Sequence, residues 1–389
     1  MSALQGLRVL DISSGIAGPF CARLLADAGA DVIKIEDPRG GDATRRENPI
    51  FADHRLEDIS ALFIYLNQNK RGVSLNIESV TGREILKQMA EKSDVVVESF
   101  APGTLERLGV SHGELRRIRP GIVLISITDF GQTGPYRDYK ATHLTLSALG
   151  GWQQGEATRE PIQAGFPVLY YMAGLWGAIG ALAALRGSHQ DEGQHVDISV
   201  MDVCLNANTP TKVRELFGAP PAKRRIAFPG NVKAKDGWAA VNSLTAQHWQ
   251  DALALMDMAD VLADEELSYN ALKRERIRPE LEARANEWAK DKTRYEILYA
   301  AQELRIPAGL PYTSAEMLES PQYLEREFFV KTAQPGVGEF LQPRAGFVAP
   351  SLCQQRRPAP ELGEHNWDVY EELGLQADDL LALRNAGII

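Results

Sequence analysis

The chain has 389 residues, 44% hydrophobic and 24% charged, the make-up of an ordinary globular protein large enough to bury a core without disulfides or metals. Its formal net charge of −10 argues against nucleic acid as a partner, although local cations can still receive an anionic ligand. The three cysteines, Cys21, Cys204 and Cys353, form no CxxC and no Cys/His ligand spacing, which points to inert thiols, no metal and a reducing, cytoplasmic setting.

The first residues, "MSALQGLRVLDIS", lack the basic-then-apolar pattern of a secretory signal. From there the chain alternates. "LRVLDI" (7–12) predicts a strand and "SSGIAGP" a turn; "FCARLLADAGA" has helical periodicity and "DVIKIE" (31–36) predicts a second strand. "GREILKQMAEKS" reads as helix, "DVVVESF" as strand, "LERLG" through "LRRIRP" as helix and "GIVLISI" as strand. Continuous Val/Ile/Leu runs between helices indicate a mostly parallel sheet covered on both faces, so the expected fold class is a Rossmann-like, doubly wound α/β layer. "SSGIAGP" offers Gly15 and Gly18 but no GxGxxG, so dinucleotide binding is not supported.

A helical region then runs through Arg186. It includes "PVLYYMAGLWGAIGALAALR" (167–186), which is long and apolar enough to span a bilayer. Its glycines, its leading proline and the mixed charges of "RGSHQDEGQ" argue instead for a buried helix and no membrane. Ala173, Gly177, Ala181 and Ala184 make a small-residue stripe that lets another element approach closely. "QHVDISV" (194–200) predicts a strand leading into a helix near Met201–Asn208.

From about Pro210 the texture changes. "APPAKRR" is loop-like, "FPGNVKAKDGWAAVN" reads as a turn and hairpin, and "QHWQDALALMDMADVLADEEL" and "RPELEARANEWAKDKTRYEILYAAQELR" are amphipathic helices. The expected organisation is a large α/β domain (1–221), a small α+β domain (222–320) and a Pro-rich, then helical, segment (321–389) returning to the large domain.

Seven segments in order, "LQGLRVLDIS…AGPFCARLLADAGADVIKIEDPRGGDATR", "LNQNKRGVSLNI", "DVVVESFAPGTLERLGV", "ISITDFGQTGPYRD", "GQHVDISVMD", "KDGWAAV" and "PELGEHNWDVYEELG", together resemble the family III CoA-transferases. That superfamily holds formyl-CoA and carnitine-type CoA-transferases and the alpha-methylacyl-CoA racemases. The resemblance implies coenzyme A, as a substrate thioester, and an interlocked homodimer in which each chain threads through its partner. It also implies CoA contacts at Lys70, Arg71, Arg107 and Lys140, an aromatic wall at Phe100, and passage of the thiol end by Ile16 and Ala17. The phosphates of CoA call for such cations or for helix N-termini.

The pattern breaks where relatives carry a nucleophilic aspartate, four residues before a glycine at a helix start. Here the glycine is Gly174 and the position is Tyr170, in "VLYYMAG". No Asp or Glu lies between Glu160 and Arg186. A phenol with an ordinary pKa of about 10 is mostly protonated at neutral pH and cannot form the acyl anhydride. It can donate to a thioester oxygen or move a proton. Upstream, "YKATHLTLSALGG" puts His143 where relatives often place an acidic residue, and a one-residue shift would make it the racemase base.

The sequence therefore leaves two readings. One is an acyl-CoA enzyme of the CoA-transferase family in which His143 takes a proton and Tyr170 or Tyr171 polarises the thioester, through proton transfer, C–C cleavage or elimination. The other is a non-catalytic CoA-binding subunit, paired with an active paralogue, or a racemase-like isomerase. "GGWQQGEATREP" (150–161) is a candidate lid.

Overall fold

A computed structural model describes residues 2–47, 60–153, 161, 164–187, 192–207, 216–218, 228–349 and 357–389. Cys353, the "APPAKRR" loop and most of the candidate lid lie outside these residues. The chain divides into two compact units, Met1–Pro221 with Phe329–Ile389, and Ala222–Phe328.

The large unit is built on a parallel sheet. β1 (Arg8–Asp11), β2 (Asp31–Glu36), β3 (Lys70–Ser74), β4 (Val95–Glu98), β5 (Val123–Thr128) and β6 (His195–Ser199) lie in the order β3-β2-β1-β4-β5-β6, and every pairing is parallel. This is the doubly wound order, and its strand sequence reverses between β1 and β4. The β-branched strands bury side chains on both faces. Val9, Val95, Val97 and Ile125 join the core with Cys21 and Leu25 on one face; Leu10, Ile33, Val96 and Leu124 join Leu86 and Tyr370 on the other.

Eight helices of this unit bear on the argument: α1 (Ala17–Asp27), α2 (Ala61–Asn67), α3 (Val80–Glu91), α4 (Thr104–Leu108), α5 (His112–Ile118), α6 (His143–Leu149), α7 (Val168–Gly187) and α8 (Val200–Ala207). The expected single helical region before Arg186 is broken. Thr142 and Thr145 form a reciprocal cap that starts α6, and Gly150 ends it.

β3 is the strand that periodicity missed. Its first residues, Lys70, Arg71 and Gly72, give no apolar run, yet Lys70, Gly72 and Val73 are buried at the sheet edge beneath the C-terminal segment. The Tyr370 hydroxyl donates to the Ser74 carbonyl at 2.7 Å and the Asn366 amide to the Ser74 hydroxyl at 2.9 Å, which fastens the C-terminal helices to that edge. A further hairpin, Phe329–Gln334 with Gly338–Pro343, also escaped the sequence because its alternation is weak and largely exposed.

α7 is apolar all round, but among the described residues only one side is covered. Leu169, Ala173, Gly177, Ala181 and Ala184 are buried against α1 and β5, as the small-residue stripe requires, while Leu175, Trp176, Ile179 and Leu182 are exposed. At Gly174 a Cβ would lie 2.5 Å from the Ala17 carbonyl oxygen. Gly174→Val is therefore expected to push α1 and α7 apart and cost about 1–3 kcal/mol, read as a lower urea midpoint.

The small unit carries an antiparallel sheet, Pro229–Ala234, Gly237–Asn242 and Ala308–Gly309, around a core of Val232, Val241, Trp249, Leu253 and Ile297. The two long amphipathic stretches are subdivided. Asp257 at φ 56° and the Asp264 cap split the first, and the Thr293–Glu296 capping box restarts the second.

Candidate active site

A doubly wound sheet opens a crevice where its strand order reverses, outside the carboxyl ends of the strands. A cavity of about 580 Å³ occurs there, walled by the turn after β1 (Ser14 to Ala17), the turn after β4 (Ser99 to Pro102), the end of β5 with Thr128 and Asp129, the loop Arg137 to Lys140, and Tyr170. A smaller cavity of about 310 Å³ shares Ser14 and Phe100 with it and is lined further by Arg39, Asn76, Ile77 and Thr104. Phe100 thus stands between the two.

The turns are fixed by polar groups. The Ser14 amide donates to the Ser99 hydroxyl at 2.9 Å, and that hydroxyl donates back to the Ser14 carbonyl at 3.0 Å, tying the first turn to the second. Lys34 donates to the Ser13 carbonyl and, at 2.9 Å, to Asp42. Asp11 accepts from Lys70 at 2.7 Å; burial opposes its charge, but Lys34 and Lys70 hold the carboxyl below the usual range. Gly15 turns at φ +79°, a conformation that suits glycine. The Phe100 amide donates at 2.7 Å to Glu98, whose carboxyl burial pushes up to about 7.

Tyr170, in the first turn of α7, is half-buried and donates its hydroxyl to Asp129. Burial and the neighbouring carboxylate push the phenol up to about 12. Burial raises the Asp129 carboxyl above its ordinary value, against the pull of Tyr170 and Lys140. His143 opens α6 with its ring centroid 6.4 Å from that of Tyr170, and burial holds its imidazole below the usual value.

The sequence-derived set separates on this geometry. Ile16, Ala17, Phe100, Lys140 and Tyr170 line the larger cavity. His143 adjoins Tyr170 without lining it, and Tyr171 packs its ring against Phe20 and Phe166, at centroid distances of 5.0 and 4.9 Å. Lys70 is buried, donates to Asp11, the Pro19 carbonyl and Asn67, and lines neither cavity. Arg71 pairs with Asp31 and Glu372 at the sheet edge, and Arg107 pairs with Glu78 on the surface; neither lines either of these two cavities. The sequence reading missed Asp129, Glu98, Arg39 and Arg137. A signal for Asp129 was present, because an acidic residue directly after the "VLISIT" run must fall at the carboxyl end of a parallel strand. Among the described residues, no group of three or more His, Cys, Asp or Glu is placed to hold a metal ion.

The model of CoA-transferase family III matches residues 4–366. The chain belongs to CoA-transferase family III. It is 32% identical over 408 residues to the succinyl-CoA–L-malate CoA-transferase alpha subunit of Chloroflexus aurantiacus, covering 99% of this chain and 92% of that one. The beta subunit of the same-named enzyme is 33% identical over 411 residues, covering 99% and 98%. Among solved structures, a CaiB/BaiF family protein from Brucella suis superposes with a TM-score of 0.84 at 28% identity over 96% of this chain and 99% of that one. Family membership points to acyl-CoA thioesters as the substrate class.

Proposed function

We propose that this family III protein transfers CoA from an acyl-CoA to a free carboxylic acid, with the thioester seated in the larger cavity. The observation that carries the reading is the cavity at the reversal of the strand order, where backbone turns, Lys140 and a half-buried Tyr170–Asp129 pair converge. In this reading the pantetheine arm passes Ile16, Ala17 and Phe100. The phosphates meet the exposed cations Arg39, Arg137 and Lys140, whose charge suits a polyanion. Tyr170 occupies the place of the relatives' aspartate. Because its hydroxyl already donates to Asp129 and its pKa is raised, it serves as a fixed donor and not as the attacking group.

The assembly belongs to the same proposal. The exposed apolar side of α7 suits cover by a second copy of this chain, as a homodimer, since patches of this kind favour protein contact. Sedimentation of the purified chain is expected to give a dimer; a monomer would instead favour a requirement for a paralogous subunit.

The test of activity incubates the chain with succinyl-CoA and a panel of mono- and dicarboxylic acids in heavy-water buffer. New acyl-CoA species that depend on the acceptor are the expected result. α-Deuterium incorporation without transfer would replace the reading by proton chemistry at the thioester. Tight CoA binding by calorimetry with neither reaction would leave a non-catalytic CoA-binding subunit.

A further inference from the structure

We infer that Asp129 is the nucleophile of the transfer, with Tyr170 as the residue that holds it in position. The inference rests on the transfer reading above and names the group that performs it.

Asp129 follows directly on β5 and lines the cavity. It is pinned from two sides. Its backbone carbonyl accepts from the Met201 amide at 3.0 Å, at the start of α8, and its carboxylate accepts from Tyr170. The other carboxylates on the cavity wall, Glu47 and Asp138, are exposed, and Asp138 pairs with Arg137 at 3.3 Å. Asp129 is instead oriented by a neutral donor, which directs the oxygen without neutralising it.

The alternatives on the same wall are weaker. A phenol near 12 stays protonated, and the Ser99 hydroxyl is engaged with Ser14 in both directions. Cys21 does not line the cavity; it is buried, and burial raises its thiol. Partial burial also makes Asp129 more basic than an ordinary carboxylate, which strengthens it as a nucleophile.

The chemistry balances without a cofactor. An Asp129 oxygen bonds to the acyl carbon of the thioester, the C–S bond breaks, and the CoA thiolate leaves with the electron pair. The thiolate attacks the Asp129 carboxyl carbon and expels the donor acid as its carboxylate, leaving CoA as a thioester on Asp129. The acceptor carboxylate then attacks that carbon and releases the thiolate, which takes the acceptor's acyl carbon. Asp129 returns as a carboxylate that retains one oxygen from the acceptor. No electron or net proton is gained.

That retained oxygen is the readout. The full chain is given succinyl-CoA and an acceptor acid labelled with oxygen-18 in both carboxylate oxygens, then digested for mass spectrometry. After a single turnover, one label is expected in the Asp129 side chain of the wild type. Asp129→Asn, which keeps volume and an acceptor for Tyr170, is expected to lose transfer by at least about a thousand-fold and to take up no label. Tyr170→Phe is expected to lower kcat by about 10- to 100-fold, with KM little changed and the label still on Asp129, since removal of a single donor weakens and does not abolish the step. Label on another residue, or transfer by Asp129→Asn within about tenfold of wild type, overturns the inference and leaves the transfer reading standing. Absence of any transfer by the wild type overturns both.

Discussion

Lys70→Met is expected to destabilise the protein by about 3–5 kcal/mol while leaving CoA affinity of the folded fraction unchanged. The Lys70 side chain is fully buried, and its ammonium donates at 2.7 Å to Asp11, at 2.9 Å to the Pro19 carbonyl and at 2.8 Å to Asn67. Methionine fills much the same volume but supplies no charge. Asp11 would keep the Ser13 amide and Lys34, the latter at 3.9 Å, so part of its compensation survives and the lower half of the range is the better expectation. The measurement is a urea midpoint at neutral pH, with an unchanged slope. A midpoint close to wild type together with a tenfold loss in CoA binding would mean that Lys70 reaches the ligand, and would overturn its assignment as an interior charge.

The second large effect is a dependence on pH. Glu98 is buried, and burial pushes its carboxyl from an ordinary 4.5 to about 7, against the hydrogen bonds from Ser126 and the Phe100 amide; Glu106 and Asp197 add to the rise. A carboxyl with a raised folded value binds its proton more readily in the folded chain. Its contribution is therefore fully present below the ordinary glutamate value and is lost as pH rises through about 7. At about 1.4 kcal/mol per unit the loss is roughly 3 kcal/mol. Glu98→Gln removes the ionisation and keeps an acceptor for the Phe100 amide. The variant should be more stable than wild type at about pH 8 and approach it in acid. His195, bonded to Ser126 at 2.8 Å, has its imidazole held below the usual value by burial. For that reason the difference between wild type and variant, measured by urea titration across pH, isolates Glu98. An unchanged difference from acid to alkaline pH would overturn the assignment.

Much of the large unit is legible in the amino-acid sequence. "LRVLDI", "DVIKIE", "DVVVESF" and "GIVLISI" are strands because strands buried on both faces must be apolar without alternation. "GNVKAKDGWAAVN" is a hairpin because Lys235 and Asp236 turn the chain between the paired Ala234 and Gly237. The stripe Ala173, Gly177, Ala181 and Ala184 is the packed side of α7, since small side chains admit a close neighbour. β3 is not legible, because its opening Lys-Arg is buried by partners on other segments, and a local window sees only two charges.

What the sequence alone determined is the ordered motif set and the alternation of strand and helix, both of which depend on residues near one another in the chain. That sufficed for a family III fold and a CoA substrate class. Only the tertiary structure decided which charges line the crevice and which are tied up in the scaffold. Lys70 and Asp11, or Tyr170 and Asp129, meet because parallel crossovers carry distant segments to the same end of the sheet. Coulomb and hydrogen-bond energies depend on separation in space, and spacing along a chain does not encode that until the sheet has closed the distance.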